Sequence, residues 1–533
     1  MQPISLDGAS LSLASVVAVA RDGVLVQLDA DARARMESSC AWVQRAASGG
    51  LRDAEGRSLA VYGVNTGYGS LARVRIGDAD ISRLSWNLLR SHAAGVGPIV
   101  DPVTTRAMML LRANALAKGA SGCRPALVDS LAAMLNRGVV PEVPSQGSCG
   151  SSGDLAPLCH LGLVVFRDDA DLAHESGSAW IDGERHSGRD AMKLAGIERL
   201  IPGPKEGLAM SNGAQLSTAF AALACWDAAQ LVLDAEIAAA LSFEALCGVR
   251  RALHPAVHAL RPYRGAIACA SNLRRLLDGS TLVDSLPDKV QDAYSLRCTP
   301  QVLGAVRDGV RFASDQVLVE LNSATDNPLI LLDAEGDNKA YSAGLFHGEP
   351  VGMAADHLKL ALCELAALSE RRIYRLTTGT LSARLPPHLV RGDRPNMGMM
   401  VPQTSAAALV SENRSLAWPA SADSIPTCED QEDHVAMSTT AARRATDVLG
   451  NSRLVVAIEL LSAVHGVWAR QDEDPNAVLG AGSAAAVAVL EDVLGGRRPS
   501  VIPAEDIERI DLALREGRIV RAVQQAIGPL EGV

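Results

Sequence analysis

The run Gly147-Ser148-Cys149-Gly150-Ser151-Ser152-Gly153-Asp154-Leu155-Ala156-Pro157-Leu158 crowds very small residues together and stops abruptly in a Pro-containing apolar segment. Small residues let a backbone fold tightly on itself. Tight folding is also a chemical opportunity, because a tripeptide X-Ser-Gly can close into a ring: the Gly nitrogen, with no Cβ in the way, attacks the carbonyl carbon two residues back. One water leaves from the new ring and a second from the middle Ser, whose β-carbon becomes an exocyclic methylidene conjugated to the ring carbonyls. The product is an electrophile, which side chains supply poorly, since the covalent catalysts among them are nucleophiles. In this chain the tripeptide is Ser151-Ser152-Gly153. A phosphate loop needs Gly-Lys-Ser/Thr and a hydrolase elbow needs Gly-x-Ser-x-Gly, and no register of the run supplies either. A flexible Gly/Ser linker is the plain alternative, and it is the surrounding sequence that weighs against it.

The chain around this run has 533 residues, 48% of them hydrophobic, enough to bury a large core in one large or several coupled domains. Aromatic residues are only 3% while Ala and Leu dominate, which favours helices over sheets. A net charge of −11 with no basic run makes nucleic acid and anionic membrane poor partners. The ten cysteines form no Cys-x-x-Cys pair and sit in apolar helical contexts, as buried thiols of a reducing cytoplasm do. Met1-Gln2-Pro3-Ile4-Ser5 carries no basic region ahead of its apolar residues, so no secretory signal is expected.

Upstream of the run, residues 1 to about 70 mix short β-branched runs (Val16 to Val19, Val24 to Val26) with a helix from Asp31 to Ser48. Leu59 to Val64 then leads into Asn65-Thr66-Gly67-Tyr68-Gly69-Ser70-Leu71-Ala72, whose tail fits a variant dinucleotide fingerprint; without a following βαβ alternation that match carries little. Apolar residues at i, i+3, i+4 spacing predict helices over Ile81 to Leu89, Thr104 to Lys118 and Arg124 to Asn136, with Ser91-His92-Ala93-Ala94-Gly95 following the first. Downstream, Leu155 to Phe166 reads as an apolar helix, and residues 167 to 190 as a polar surface excursion turned at Asp182-Gly183. Lys205 to Gln215, containing Asn212-Gly213, opens an Ala-rich helix expected to run to about Leu246. Asp227, Asp234 and Glu236 mark it as a core helix and not a membrane span. His254 and His258 have metal spacing, but no His-Glu-x-x-His arrangement surrounds them and Pro255 suggests a helix start, so no metal is expected. Further blocks are Val290 to Gln301, Thr325-Asp326-Asn327-Pro328, Ser342 to Pro350, and Gln431-Glu432-Asp433-His434; a Gly/Pro break near Gly495 to Pro503 divides the last helices.

Taken in order, these blocks resemble the ammonia-lyase and aminomutase family that makes a 4-methylidene-imidazol-5-one (MIO) from its own backbone, and within it the branch acting on histidine. The resemblance spans about residues 59 to 470. It implies a mainly α-helical fold with a long central helix bundle of aspartase/fumarase-like type. It divides the chain into a smaller mixed N-terminal part bearing the ring loop (1–200), the central long-helix bundle (201–480) and a C-terminal helical cap (481–533). It implies a homotetramer with sites shared between subunits, an amino acid substrate, and MIO formed from Ser151, Ser152 and Gly153 with no metal or nucleotide.

The resemblance also implies roles. Tyr62 becomes the catalytic base or acid, Tyr294 a second catalytic residue, and Glu432 an acceptor for the substrate imidazole or a proton carrier. His92 can hydrogen-bond an imidazole, as a phenyl-binding residue cannot. Asn212 meets the substrate amine or the ring carbonyl, Gln291 adds an amide, and Phe346 packs on the substrate ring. Arg297 clamps the carboxylate, since guanidinium presents a planar fork to two oxygens. Departures from the family pattern are Ser151 for Ala, Tyr68 for Phe, Leu345 for Asn, and Cys428-Glu429-Asp430 for Ser-Ala-Asn. The implied reaction is loss of ammonia from histidine to give urocanate. A mutase giving β-histidine, a lyase acting on another aromatic amino acid, and a catalytically silent bundle remain open alternatives.

Overall fold

The computed structural model describes residues 2–533 apart from 54, 70–71, 78–79 and 392–395, so Ser70 and Leu71 of the loop after Tyr62 lie outside the described residues. Helix accounts for 58% and strand for 7%. In chain order the helices are α1 (Leu13–Asp22), α2 (Ala30–Ala47), α3 (Ile81–His92), α4 (Pro102–Ala117), α5 (Pro125–Arg137), α6 (Leu155–Val165), α7 (Gly188–Leu194), α8 (Glu206–Ser211), α9 (Gln215–Ala245) and α10 (Pro255–Ala259). They continue as α11 (Arg264–Leu276), α12 (Tyr294–Arg297), α13 (Thr299–Leu321), α14 (Glu349–Thr377), α15 (Met400–Leu416), α16 (Ser438–Glu473), α17 (Ala481–Leu494), α18 (Pro503–Arg515) and α19 (Arg518–Ile527). Local chemistry explains several boundaries. Asp29 and Asp101 cap α2 and α4 by accepting first-turn N–H groups, and Pro102 and Pro125 occupy first helical positions. The β-branched run Val16 to Val19 lies inside α1, because a reciprocal Ser12/Ser15 capping box starts a helix ahead of it.

The chain divides into two compact units, each assembled from three stretches: Met1–Leu223, Ser314–Asp356 and Pro419–Arg443 form one; Ala224–Ala313, His357–Trp418 and Arg444–Val533 form the other. Four of the five boundaries fall inside α9, α13, α14 and α16, and the fifth follows α15.

In the first unit, α1 and α5 pack on α4, while α3, α6 and α8 pack on one another. A buried cluster of Trp42, Val43, Val61, Val64, Ile81 and Ile330 roots the Tyr62 loop against α2. The short strand Val96–Ile99 pairs antiparallel with Pro144–Gln146, which sets the segment after His92 beside the segment entering Gly147. The surface excursion is a hairpin, Ser178–Ile181 with Glu184–Ser187, turned at Asp182-Gly183 as expected.

The Ala-rich helix departs from the expected course. It does not run unbroken from Lys205; it stops at Ser211 and restarts at Gln215. Asn212 takes an extended conformation, and Gly213, at φ +154°, forms a bridge to Gly153. The break is held by the fully buried guanidinium of Arg112 on α4. It donates to the carbonyl oxygens of Asn212 (3.0 Å), Thr325 (3.2 Å) and Ala209, and to Gln215 Oε1 (2.9 Å). A helix interrupted in a protein interior leaves carbonyls that must find donors, and one planar cation supplies several.

The second unit is a bundle. Ala366 and Ile373 on α14, Ala406 and Val410 on α15, and Val455 and Ile458 on α16 form one apolar cluster. Inside the bundle the carboxylate of Glu459 accepts from Arg372, Ser369 and Ser242 (2.7 Å to the last), which joins α16, α14 and α9. Glu236 on α9 likewise pairs with Arg307 on α13 at 2.7 Å, both fully buried. Buried charges are tolerated when paired and hydrogen-bonded. Both α9 and α16 are long and apolar enough to cross a membrane, yet 78% and 83% of their most apolar windows are buried inside the protein. Small side chains let such helices approach closely.

Candidate active site

A cavity of about 700 Å³ in the first unit is lined by Tyr62, His92, Ser151, Ser152, Asn212, Phe346 and Glu432, together with Tyr68, Cys428 and others. Seven of the eleven residues singled out by sequence thus share one wall, with Gly153 adjoining. Gln291, Tyr294 and Arg297 belong to the second unit and do not line this cavity. There the Arg297 guanidinium stacks over the Tyr294 ring, 4.9 Å to its centroid, and donates to the Asp292 carbonyl at 3.1 Å; Tyr294 is 70% exposed. His254 caps α10 by accepting from the Ala256 N–H (3.2 Å), and the His258 ring contacts the Ala252 carbonyl (3.1 Å), so both carry structural bonds.

The tripeptide sits immediately before α6 and is clamped on both sides. The Met437 N–H donates to the Cys149 carbonyl (2.7 Å), the Gly348 N–H to the Gly150 carbonyl (2.9 Å), and the Asp154 N–H to the Gly213 carbonyl (2.8 Å). Gly153 has φ +74°, and a Cβ there would lie 2.3 Å from the Gly213 carbonyl carbon, so no larger residue fits. Asn212, buried at the break between α8 and α9, donates through Nδ2 to the Ser152 carbonyl at 2.8 Å; its Oδ1 is buried without a protein partner.

Sequence reasoning assigned no role to Asp154, although it follows the tripeptide directly. Its fully buried carboxylate accepts from Ser148 (2.8 Å), Thr439 (2.5 Å), and both the hydroxyl (3.0 Å) and backbone N–H (2.8 Å) of Ser217. Arg112 was also missed; the signal was a charged residue in the apolar run of α4.

Glu432 stands on a tight loop closed by mutual backbone bonds with Thr427, with Cys428, Glu429 and Asp430 all left-handed at φ +52°, +56° and +61°. Its Oε1 accepts from Ser152 Oγ (2.5 Å), and its Oε2 from Ser151 Oγ (2.6 Å) and Thr427 Oγ1 (2.9 Å). Burial by itself raises the pKa of this carboxyl, but the bonds from Ser151, Ser152, Thr427 and Cys428 outweigh it and hold the group below its ordinary value. The Cys149 and Cys428 thiols are pushed up, first by burial and then by Glu432, and stay protonated.

His92 ends α3. Burial pushes its pKa down, against a bond to the Leu88 carbonyl and the Glu432 charge, which keeps the ring neutral. The Ser91 hydroxyl donates to the Leu88 carbonyl (3.0 Å) and lies 2.8 Å from His92 Nδ1. With its proton committed, that hydroxyl can only accept from Nδ1–H, which leaves Nε2 as the ring's acceptor. The Tyr62 hydroxyl accepts from the Gly69 N–H at 3.1 Å, and its ring meets Tyr68 edge-on at 6.4 Å. Burial drives the Tyr68 phenol up to about 12. This loop is fixed by Asn65, whose side chain bonds the Ala46 and Leu59 carbonyls and the Val61 N–H.

The chain is similar to known proteins in both sequence and fold. A family model described as aromatic amino acid lyase matches residues 11–492. Histidine ammonia-lyase of Alkaliphilus oremlandii is 42% identical over 528 residues, 99% of either chain. Among solved structures, histidine ammonia-lyase from Trypanosoma cruzi matches with a TM-score of 0.88 at 34% identity, covering 99% of this chain and 96% of that one. Tyrosine aminomutase from Streptomyces globisporus matches with a TM-score of 0.90 at 33% identity, covering 99% of this chain and 100% of that one. A full-length match in sequence, a match in fold, and a clamped Ser-Ser-Gly turn within one cavity together place the chain in the aromatic amino acid lyase family.

Proposed function

We propose that this protein is a carbon–nitrogen lyase that removes ammonia from L-histidine to give urocanate, using an MIO ring formed from Ser151, Ser152 and Gly153. The observation that carries the reading is the single wall holding His92, Asn212 and Glu432 beside that tripeptide. The residues present fit the ring. Gly153 has no Cβ where none could be accommodated, both flanks are tied down, and Asn212 already bonds the Ser152 carbonyl while keeping one buried acceptor free. Such a ring supplies an electrophilic carbon for the substrate amine, turning ammonia into a better leaving group.

The side chains do the rest. Asn212 Oδ1 is placed to accept from the amine. Anionic Glu432 accepts the single N–H of a neutral substrate imidazole or moves a proton there, and neutral His92 borders the same ring from the end of α3. Tyr62 takes the β-proton; because Gly69 occupies a lone pair of its hydroxyl, the oxygen is oriented before substrate arrives. Phe346 packs against the substrate ring. Gln291, Tyr294 and Arg297 act from another copy of the chain in a homotetramer, where the guanidinium fork holds the substrate carboxylate. The enzyme works in the cytoplasm.

Ser152→Ala is expected to abolish both turnover and the ring's near-ultraviolet absorbance, whereas wild type should be two waters lighter than its sequence mass. Unchanged turnover in that variant refutes the reading. The likeness to tyrosine aminomutase supports a second reading, re-addition of ammonia at the β-carbon. Product analysis separates them: urocanate marks the lyase and β-histidine the mutase.

A further inference from the structure

Glu432 is held by hydroxyls that have different futures. Ring formation expels the Ser152 hydroxyl as its second water, so the donor now on Oε1 at 2.5 Å is consumed. Ser151 contributes only its backbone carbonyl to the ring and keeps its Oγ, which donates to Oε2 at 2.6 Å alongside Thr427 at 2.9 Å. We propose that Ser151 is a positioning residue for Glu432: its hydroxyl pins one carboxylate oxygen so that the other, stripped of its donor by maturation, is presented bare to the N–H of the substrate. This inference rests on the ring-forming reading, since Oε1 loses its donor only if Ser152 is dehydrated.

Two donors on Oε2 restrict the side chain to one rotamer, which spares substrate the cost of ordering a long flexible acid. They also favour the anion, because hydrogen bonds to a carboxylate stabilise its charged form. An alanine at this position would leave Thr427 as the sole side-chain hydroxyl on the carboxylate after maturation. The titratable groups facing Glu432 are His92 at the end of α3, Cys149 before α6 and Cys428 on its own loop; Tyr62, Tyr68, His347, Asp433 and His434 share the cavity wall. Ser151 is 7% exposed and small, so Ser151→Ala removes the hydroxyl without crowding its surroundings.

The test compares wild type, Ser151→Ala and Ser151→Thr. Intact mass reports the ring independently of turnover: all three are expected to be two waters lighter than their sequences. In the pH profile of kcat/KM for L-histidine, the acid limb of Ser151→Ala should move up by roughly one pH unit, and Ser151→Thr should restore it. Calorimetric titration of L-histidine into Ser152→Ala protein, which lacks the ring but keeps Glu432, should weaken about tenfold when Ser151→Ala is added. Coincident acid limbs together with equal binding overturn the positioning role. Loss of the ring in Ser151→Ala alone also overturns it, because Ser151 would then act in cyclisation. A wild-type mass without the two-water loss overturns the ring-forming reading itself and removes the premise.

Discussion

Replacing Arg112 with Met tests whether the interruption between α8 and α9 is held by a single buried cation. Methionine preserves much of the stem but removes every donor that now reaches the carbonyls of Asn212, Thr325 and Ala209 and the Gln215 amide oxygen. Three buried carbonyls lose a donor, each at about 1–3 kcal/mol, so the low end of the sum is roughly 3 kcal/mol. The upper end is trimmed because the variant no longer buries a guanidinium, itself a cost of several kcal/mol. Net destabilisation should therefore be about 3–5 kcal/mol. Since the Asn212 carbonyl is one of the released groups, the same change should loosen the Asn212 amide from Ser152 and lower the near-ultraviolet absorbance per chain. Arg112→Lys should recover only part of the loss, because an ammonium is a point donor and cannot span a fork. Urea unfolding followed by circular dichroism, with absorbance on the same samples, measures both effects. Stability within about 1 kcal/mol of wild type, with undiminished absorbance, would refute the argument.

Three further outcomes are expected. Asp154→Asn replaces a carboxylate oxygen by an NH₂ group facing donors from Ser148, Ser217 and Thr439, and should cost about 2 kcal/mol while reducing the fraction of chains two waters lighter by mass. Gly153→Ala would force a Cβ to within 2.3 Å of Gly213 at φ +74°, so the purified variant should keep its helical circular dichroism and lack the ring's absorbance. Burial, aided by Arg391 and Arg498, depresses His465 to about 4, so the folded state refuses a proton that the unfolded chain accepts. Stability is full above the ordinary histidine value and should fall by about 3 kcal/mol as pH drops from 6.5 to 4, a decline that His465→Gln should flatten in unfolding midpoints measured across that range.

The sequence alone determined what local chemistry controls. The helices over Ile81, Thr104, Arg124 and Leu155 declare themselves through apolar spacing and Pro or Asp starts, and the Ser151-Ser152-Gly153 turn through its lack of side chains. His92 and Glu432 were legible only through their neighbours in short motifs. Tertiary structure decided what depends on partners distant along the chain. The break at Asn212-Gly213 is invisible in an Ala-rich stretch because its cause is Arg112, about a hundred residues away, and a backbone bridge to Gly153. The Val16 to Val19 run became helix because a capping box outweighed modest β-propensity. Asp154 had no role assigned from sequence, because the Ser217 and Thr439 groups that enclose its carboxylate lie far along the chain. Hydrogen bonds and burial are properties of position in space, whereas periodicity, caps and glycines are properties of position in the chain; that difference separates what could be read at once from what required the fold.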